Sequence, residues 1–264
     1  MPVKRCEWLK AMNPSLLDSI RVVLVSPQEP MNVGAVARAM RNFGLGDLWL
    51  VAPEPTVAET LEAPLNAKAY HLAVRAEVIL DQARRSKTLL EAVQDCVLVV
   101  GTTVRSRDVY PGSLVSPRTL TPQVLKAAQR GKVALVFGRE TFGLTNDELD
   151  LAQYILRIPT APEQTNLNLA QAVLLVAYEL FIGAENPPEP PADQPATRDA
   201  LEALFDDLER YVLEIGFTDP RRLPYTRRRL RRILHKATLT DPEVKMLRGF
   251  LHQSRWYAKH GKNK

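Results

Sequence analysis

Short apolar runs recur along this chain, each bounded by glycine, proline or asparagine. Ile20 to Val25, Leu48 to Val51, Val97 to Val100, Val133 to Phe137 and Tyr154 to Ile158 are such runs, and the first is largely β-branched. That is the pattern of buried strands. Helical periodicity fills the intervals. It predicts helices from Val33 to Phe43, around Leu65 to Leu72, from Thr88 to Val93, and within 116–130, where Pro122 begins the helix. A last helix runs from Asn166 to Gly183 and is apolar on most sides, which predicts burial. Asn32 reads as the cap of the first of these helices, and Thr165 or Asn166 as the cap of the last. Short strands alternating with helices predict an α/β fold, with a parallel sheet covered by helices on both faces.

The pattern changes after residue 183. Residues 184–196 hold five prolines between Ala184 and Pro195 and read as a semi-rigid linker. Beyond it, 197–264 is helical. Leu201, Leu204, Leu208, Val212 and Ile215 share one face of a helix from Arg198 to Ile215. Leu230, Ile233 and Leu234 give the next, arginine-rich stretch an apolar stripe. The expected organisation is a lead-in at 1–17, an α/β domain at 18–183, the linker, and a small helical extension.

Charge sharpens this division. The chain carries 35 Lys and Arg against 30 Asp and Glu. From Thr197 onward there are 16 basic and 9 acidic residues, a net of +7, so the remainder carries 19 and 21, a net of −2. Seven arginines fall between Arg221 and Arg232. A basic segment on a near-neutral body points to an anionic partner, above all nucleic acid. Arg227, Arg228, Arg229, Arg231 and Arg232 are the expected phosphate contacts.

Other classes are disfavoured. No apolar run approaches the ~20 residues of a membrane span, and the N-terminus lacks the apolar core of a signal peptide, so a cytoplasmic location is expected. Cys6 and Cys96 suggest neither a disulfide nor a metal cluster, and Cys96 reads as core. The four histidines lack ligand spacing, and His71 reads as structural. Gly44-Leu-Gly46 precedes a strand and lacks a third glycine, so it is a turn and not a dinucleotide fingerprint; no phosphate-cradling Gly-x4-Gly-Lys-Ser/Thr loop occurs.

Four strand ends carry the candidate chemistry. The first strand leads through Ser26–Met31 to Asn32-Val-Gly-Ala-Val-Ala-Arg38. Arg38 and Arg41 lie three apart on one side of that helix, and Arg41 reads as solvated. Another strand ends in Gly101-Thr102-Thr103-Val104, small enough for close backbone approach to a ligand. A third ends in Gly138-Arg-Glu140-Thr-Phe-Gly-Leu144. The last passes through Pro159–Thr165 to Asn166-Leu167-Asn168-Leu-Ala-Gln-Ala-Val. Turns of this kind at the carboxyl ends of parallel strands predict one shared site.

In order and spacing, these segments resemble the TrmH-like branch of the SPOUT methyltransferases, most closely its TrmJ type. The resemblance covers residues 18–183. It implies a deep C-terminal trefoil knot, which composition could not show. It also implies S-adenosylmethionine as methyl donor and an RNA ribose 2′-hydroxyl as acceptor. Carried over by motif, Thr102, Thr103, Val104, Gly138, Ile158, Thr165, Asn166 and Leu167 would form the donor pocket. Asn32 and Arg38 match the family's Asn-x5-Arg motif, with the arginine acting on the ribose; Glu140 and Asn168 would hold the arginine and the loop. The resemblance further implies a homodimer with the site completed across the interface. The basic ending points to tRNA and its anticodon loop. Ribosomal RNA is the nearest rival substrate, and a non-catalytic RNA-binding protein on the same fold is the rival from another class. One position departs from the pattern: Asn166 stands where the family usually has serine, either in a capping role or at the chemistry.

Overall fold

The structure is a computed structural model that describes residues 14–104, 114–189 and 193–260. The chain divides into two compact units, Met1–Pro191 and Ala192–Lys264.

The first unit contains, in order, α1 (Pro14–Leu17), β1 (Ile20–Val25), α2 (Pro30–Asn42), β2 (Asp47–Val51), α3 (Ala67–Ala73), α4 (Glu77–Asp81), β3 (Arg84–Ser86), α5 (Leu89–Val93), β4 (Cys96–Thr102), β5 (Leu114–Val115), α6 (Pro117–Ala128), β6 (Lys132–Phe137), α7 (Asn146–Leu149), β7 (Tyr154–Leu156) and α8 (Leu169–Gly183). The strands form one sheet in the order β3-β2-β1-β6-β4-β7-β5, and every pair is parallel. Side chains alternate between faces along each strand. Ile20, Val22 and Leu24 therefore join the larger core, with α2, α3, α6 and α8. Val23 and Val25 join the smaller one, with α5 and α7. A sheet buried on both faces reads as continuous apolar runs, which is why its long strands stand out in the sequence.

Arg21 interrupts the apolar run of β1, yet it is only 1% exposed. Its guanidinium is satisfied on all sides. Nε donates to Asp47 at 2.9 Å, Nη1 to Asp95 and the Ala92 carbonyl at 2.6 Å each, and its Cζ lies 4.7 Å from the Trp49 ring centroid. Burial costs the cation, but these partners more than offset it, and its pKa is raised. Cys96 beside it is buried, as expected, and burial pushes its thiol up to about 12.

Several boundaries differ from the sequence-based expectation. α2 starts at Pro30 and not at Val33, because Glu29 accepts from the Met31 N–H and Pro30 sits at the first helical position. Asn32 therefore lies inside the first turn and caps nothing. α6 starts at Pro117 behind the cap Ser116, leaving Pro122 inside the helix. α8 starts at Leu169 behind Asn168, which forms a capping box with Gln171. Nor is α8 buried all round. Leu169, Val173, Val176, Ala177 and Leu180 are covered, but Leu174, Leu175, Tyr178 and Ile182 are exposed along one side. His71 is exposed in the last turn of α3. The path that would define the knot includes residues 105–113 and so lies outside the described residues, as do Cys6 and most of the lead-in.

The second unit holds α9 (Arg198–Glu214), α10 (Leu223–His235) and α11 (Asp241–His260). Ala196, Leu201, Leu204, Phe205, Val244 and Leu251 form its core. Ile215 is exposed past the end of α9, outside the face expected to be buried. The expected stripe on α10 is also revised: Ile233 is 63% exposed, and the buried residue of that helix is Arg231.

Candidate active site

The centre of the sheet explains where the site lies. β6, β4 and β7 are neighbours, and β1 flanks β6. Their carboxyl ends deliver four loops to one place. A cleft of about 970 Å³, counting the solvent in its mouth, opens there. Its position outside the carboxyl ends of parallel strands is the usual place for a small-molecule site. All eight residues expected to form a donor pocket line it: Thr102, Thr103 and Val104 after β4, Gly138 after β6, and Ile158, Thr165, Asn166 and Leu167 after β7. Phe137, Leu156, Leu169 and Ala172 add apolar wall.

Local contacts hold these loops. Thr102 Oγ1 donates to the Val136 carbonyl at 3.0 Å, and the Thr103 N–H donates to the Leu156 carbonyl at 3.0 Å, so each strand end is tied to its neighbour. Gly138 has no room for a side chain. A Cβ there would lie 2.2 Å from the Gly143 carbonyl carbon and 2.3 Å from the Leu144 nitrogen. The turn from Arg139 to Gly143 thus folds back against its own base.

A second cluster sits where β6 meets β1. Glu140 Oε2 accepts from the Gln28 N–H at 3.1 Å, and Oε1 accepts from Glu29 N–H at 3.4 Å and Asn32 Nδ2 at 3.2 Å. Asn32 Oδ1 in turn accepts from Asn168 Nδ2 at 2.9 Å, and Asn168 Oδ1 caps α8 through the Ala170 N–H at 2.9 Å. One line of side chains therefore joins the exits of β6, β1 and β7. Glu140 also lines the cleft, which places this line at its edge.

Arg38 stands apart. Glu140 and Asn168, expected to hold the arginine, hold Asn32 and the 28–29 backbone instead. Arg38 is exposed, has no hydrogen-bond or ion-pair partner among the described residues, and does not line the cleft. Its face of α2 includes Met31, which is 43% exposed. The contacts of Phe142 and Arg139 were missed by sequence reasoning: both line the cleft, and Arg139 makes a two-toothed ion pair with Glu148. The Gly-Arg-Glu-Thr-Phe-Gly turn was the available signal, but its partner lies in the following helix.

The arginines of the second unit divide into two groups. Arg231, 8% exposed, donates to both oxygens of Glu202 at 2.7 and 2.6 Å and lies 4.3 Å over the Phe205 ring. Arg227 donates to Glu209 at 2.7 Å. Their charges serve the packing of α10 on α9, which corrects the expectation of a phosphate contact at Arg231 and weakens it at Arg227. Arg228 and Arg232 are half-buried. Arg229 is exposed; its guanidinium donates to the Tyr225 hydroxyl at 2.6 Å and lies 5.5 Å from that ring centroid.

Among the described residues no group of His, Cys, Asp and Glu is arranged to hold a metal ion, and no helix is long and apolar enough to cross a membrane.

Comparison with known proteins agrees with this geometry. Residues 19–178 match the SpoU rRNA Methylase family, and residues 199–263 match the tRNA methyltransferase TrmJ C-terminal domain. The chain is 38% identical over 257 residues to the tRNA (cytidine/uridine/adenosine-2′-O-)-methyltransferase TrmJ of Pseudomonas aeruginosa, covering 92% of this chain and 96% of the relative. It is 39% identical to the tRNA (cytidine/uridine-2′-O-)-methyltransferase TrmJ of Pectobacterium atrosepticum, covering 89% and 96%. The crystal structure of TrmJ from Z. mobilis superposes with a TM-score of 0.76 at 38% identity, over 89% of this chain and 98% of that one. With a family match across most of the first unit, and relatives of this identity spanning both, the chain belongs to the SpoU methylase family and carries the TrmJ type of C-terminal domain.

Proposed function

We propose that this protein transfers a methyl group from S-adenosylmethionine to the 2′-hydroxyl of a cytidine or uridine ribose in the anticodon loop of tRNA, in the cytoplasm. The observation that carries the reading is the pairing of two features at one edge of the sheet. A cleft with apolar walls, lined by the loops that leave β4, β6 and β7, lies beside a fixed carboxamide–carboxylate line.

The cleft fits the donor. Phe137, Leu156, Leu169 and Ala172 offer walls to an adenine ring, and the 165–167 backbone offers polar partners for its edge. Gly138, which tolerates no Cβ, lets the 139–143 turn fold back onto the end of β6 at the wall of the cleft. When bound, S-adenosylmethionine supplies an electrophilic methyl on a sulfonium. What remains for the protein is placement. Glu140, Asn32 and Asn168 set the position of the β1–α2 loop beside the cleft. Holding an acceptor hydroxyl in line with the methyl supplies much of the rate in such a transfer. A guanidinium is protonated at neutral pH, so Arg38 acts as a cation and not as a base. It binds the phosphate next to the acceptor ribose and stabilises negative charge on the oxygen as the hydroxyl proton leaves to solvent.

Arg38 does not line its own chain's cleft, so in this reading it serves the cleft of a second copy. The exposed apolar side of α8 (Leu174, Leu175, Tyr178 and Ile182) supports a homodimer formed through that helix. The surface cations of the basic extension, Arg229 and its neighbours, then bind the tRNA backbone.

The test is methyl transfer from labelled S-adenosylmethionine to unmodified tRNA and, separately, ribosomal RNA, with nucleosides identified by mass spectrometry. A 2′-O-methylated pyrimidine from tRNA is expected. Product from ribosomal RNA alone would replace the substrate, and RNA binding without transfer to either would replace the activity with a binding role.

A further inference from the structure

Phe142 is 47% exposed, yet it lines the cleft. A single exposed aromatic is ordinary, but this one is braced. Arg139 Cζ lies 5.0 Å from its ring centroid. Arg139 itself is locked: Nη1 donates to both carboxylate oxygens of Glu148 and Nη2 to one, each at 3.0 Å. Glu148 is fixed in turn by its capping box with Thr145, whose N–H it accepts at 2.7 Å. The turn is closed by the Gly143 N–H donating to the Arg139 carbonyl at 2.9 Å, with Gly143 at φ +74°. The ring is therefore held in place by a cation that cannot leave, with surface left open at the cleft.

The placement matters because Glu140 stands on the same turn, two residues earlier. Glu140 anchors Asn32 and the β1–α2 loop. Phe142 thus stands on the turn that carries Glu140; of the eight expected donor-pocket residues only Gly138 lies on this turn, and the other seven follow β4 and β7.

We propose that Phe142 is a stacking platform for the nucleobase of the nucleotide whose ribose is methylated. This rests on the methyltransferase reading above and extends it to specificity. Nucleotides of single-stranded RNA loops are recognised with their bases splayed out onto aromatic side chains. Stacking recognises the π face and not the hydrogen-bonding edge, so it accepts more than one base. A target defined as cytidine or uridine asks for that tolerance. A pre-ordered ring supplies it at low entropic cost.

The experiment compares Phe142→Ala, Phe142→Leu and Phe142→Trp with the unaltered full-length protein. It measures kcat and KM for tRNA and, by calorimetry, the Kd for S-adenosylhomocysteine. Loss of stacking predicts about a ten- to hundred-fold fall in kcat/KM for the Ala variant. The Leu variant, equally apolar, should fall similarly, and the Trp variant should stay near the unaltered protein. S-adenosylhomocysteine affinity should be unchanged in all three. A Leu variant as active as the unaltered protein overturns the proposal, as does an Ala variant whose donor affinity falls as far as its activity. An unaltered protein that methylates no RNA overturns the parent reading and this one together.

Discussion

At the scale of single residues, the site depends on amide and carboxylate groups that each do one geometric task. Asn32 is oriented from both ends, by Glu140 and by Asn168. Arg38 has no such partner among the described residues. Arg38→Ala is therefore expected to leave the fold and S-adenosylhomocysteine affinity unchanged while methyl transfer falls at least about a hundred-fold, the scale of removing one charge-stabilising donor. Equal loss of donor binding would reassign Arg38 to the donor. The departure at position 166 is also resolved in part. Asn168, not Asn166, caps α8, and Asn166 lines the cleft. Asn168→Ala should lower stability by about 1 kcal/mol, and Asn166→Ala should change it by less than about 0.5 kcal/mol. Chemical denaturation of the two variants separates these outcomes, and a destabilised Asn166→Ala would return the capping role to that residue.

Among elements, close approach of backbones governs what can change. Gly34 lies on the face of α2 that meets α3, where a Cβ would be 1.8 Å from the Ala69 carbonyl oxygen. Gly34→Ala must force the helices apart and should cost on the order of 1–3 kcal/mol or more, seen as a thermal midpoint several degrees lower. The same scale shows what the sequence disclosed. Buried strands such as β1 and β6 are legible because both faces are covered and the run is unbroken. β3, with Arg84, Arg85 and Ser86, and the two-residue β5 carry no such run, so they were missed. Helix starts slipped where a stronger local signal competed: Glu29 with Pro30 outranked Asn32, and Asn168 with Gln171 outranked Asn166. Strand ends located the loops around the cleft, whereas the eight individual residues expected there came by motif from the family resemblance; all eight line the cleft. Arg231 was misread because its partner, Glu202, is 29 positions away. In sequence, an arginine packed against a distant carboxylate looks the same as one facing water.

For each unit as a whole, charge placement sets the response to conditions. In the second unit, His235 sits half-buried beside Arg198, its ring nitrogen 3.3 Å from that guanidinium, with Arg231 and Glu202 completing the cluster and Phe205 edge-on to the ring. Burial first, then the two arginines, hold its pKa well below the usual value. The folded unit therefore binds fewer protons there than the unfolded chain, so stability must fall as pH drops below about 6.5. Melting the full chain between pH 8 and pH 5.5 should show the C-terminal transition moving down, and His235→Gln should flatten that trend; an unaltered slope would exclude His235 as its source. The acids of α9 have a further effect on how this unit meets a polyanion. Arg198, Arg210, Arg227, Arg231, Arg248 and Arg255 already face Glu202, Asp207, Glu209 or Glu214. A cation neutralised from within displaces no sodium ion from a nucleic acid. A plot of log affinity against log salt will therefore count only the cations left over, and its slope will be shallower than the sixteen lysines and arginines of this segment suggest.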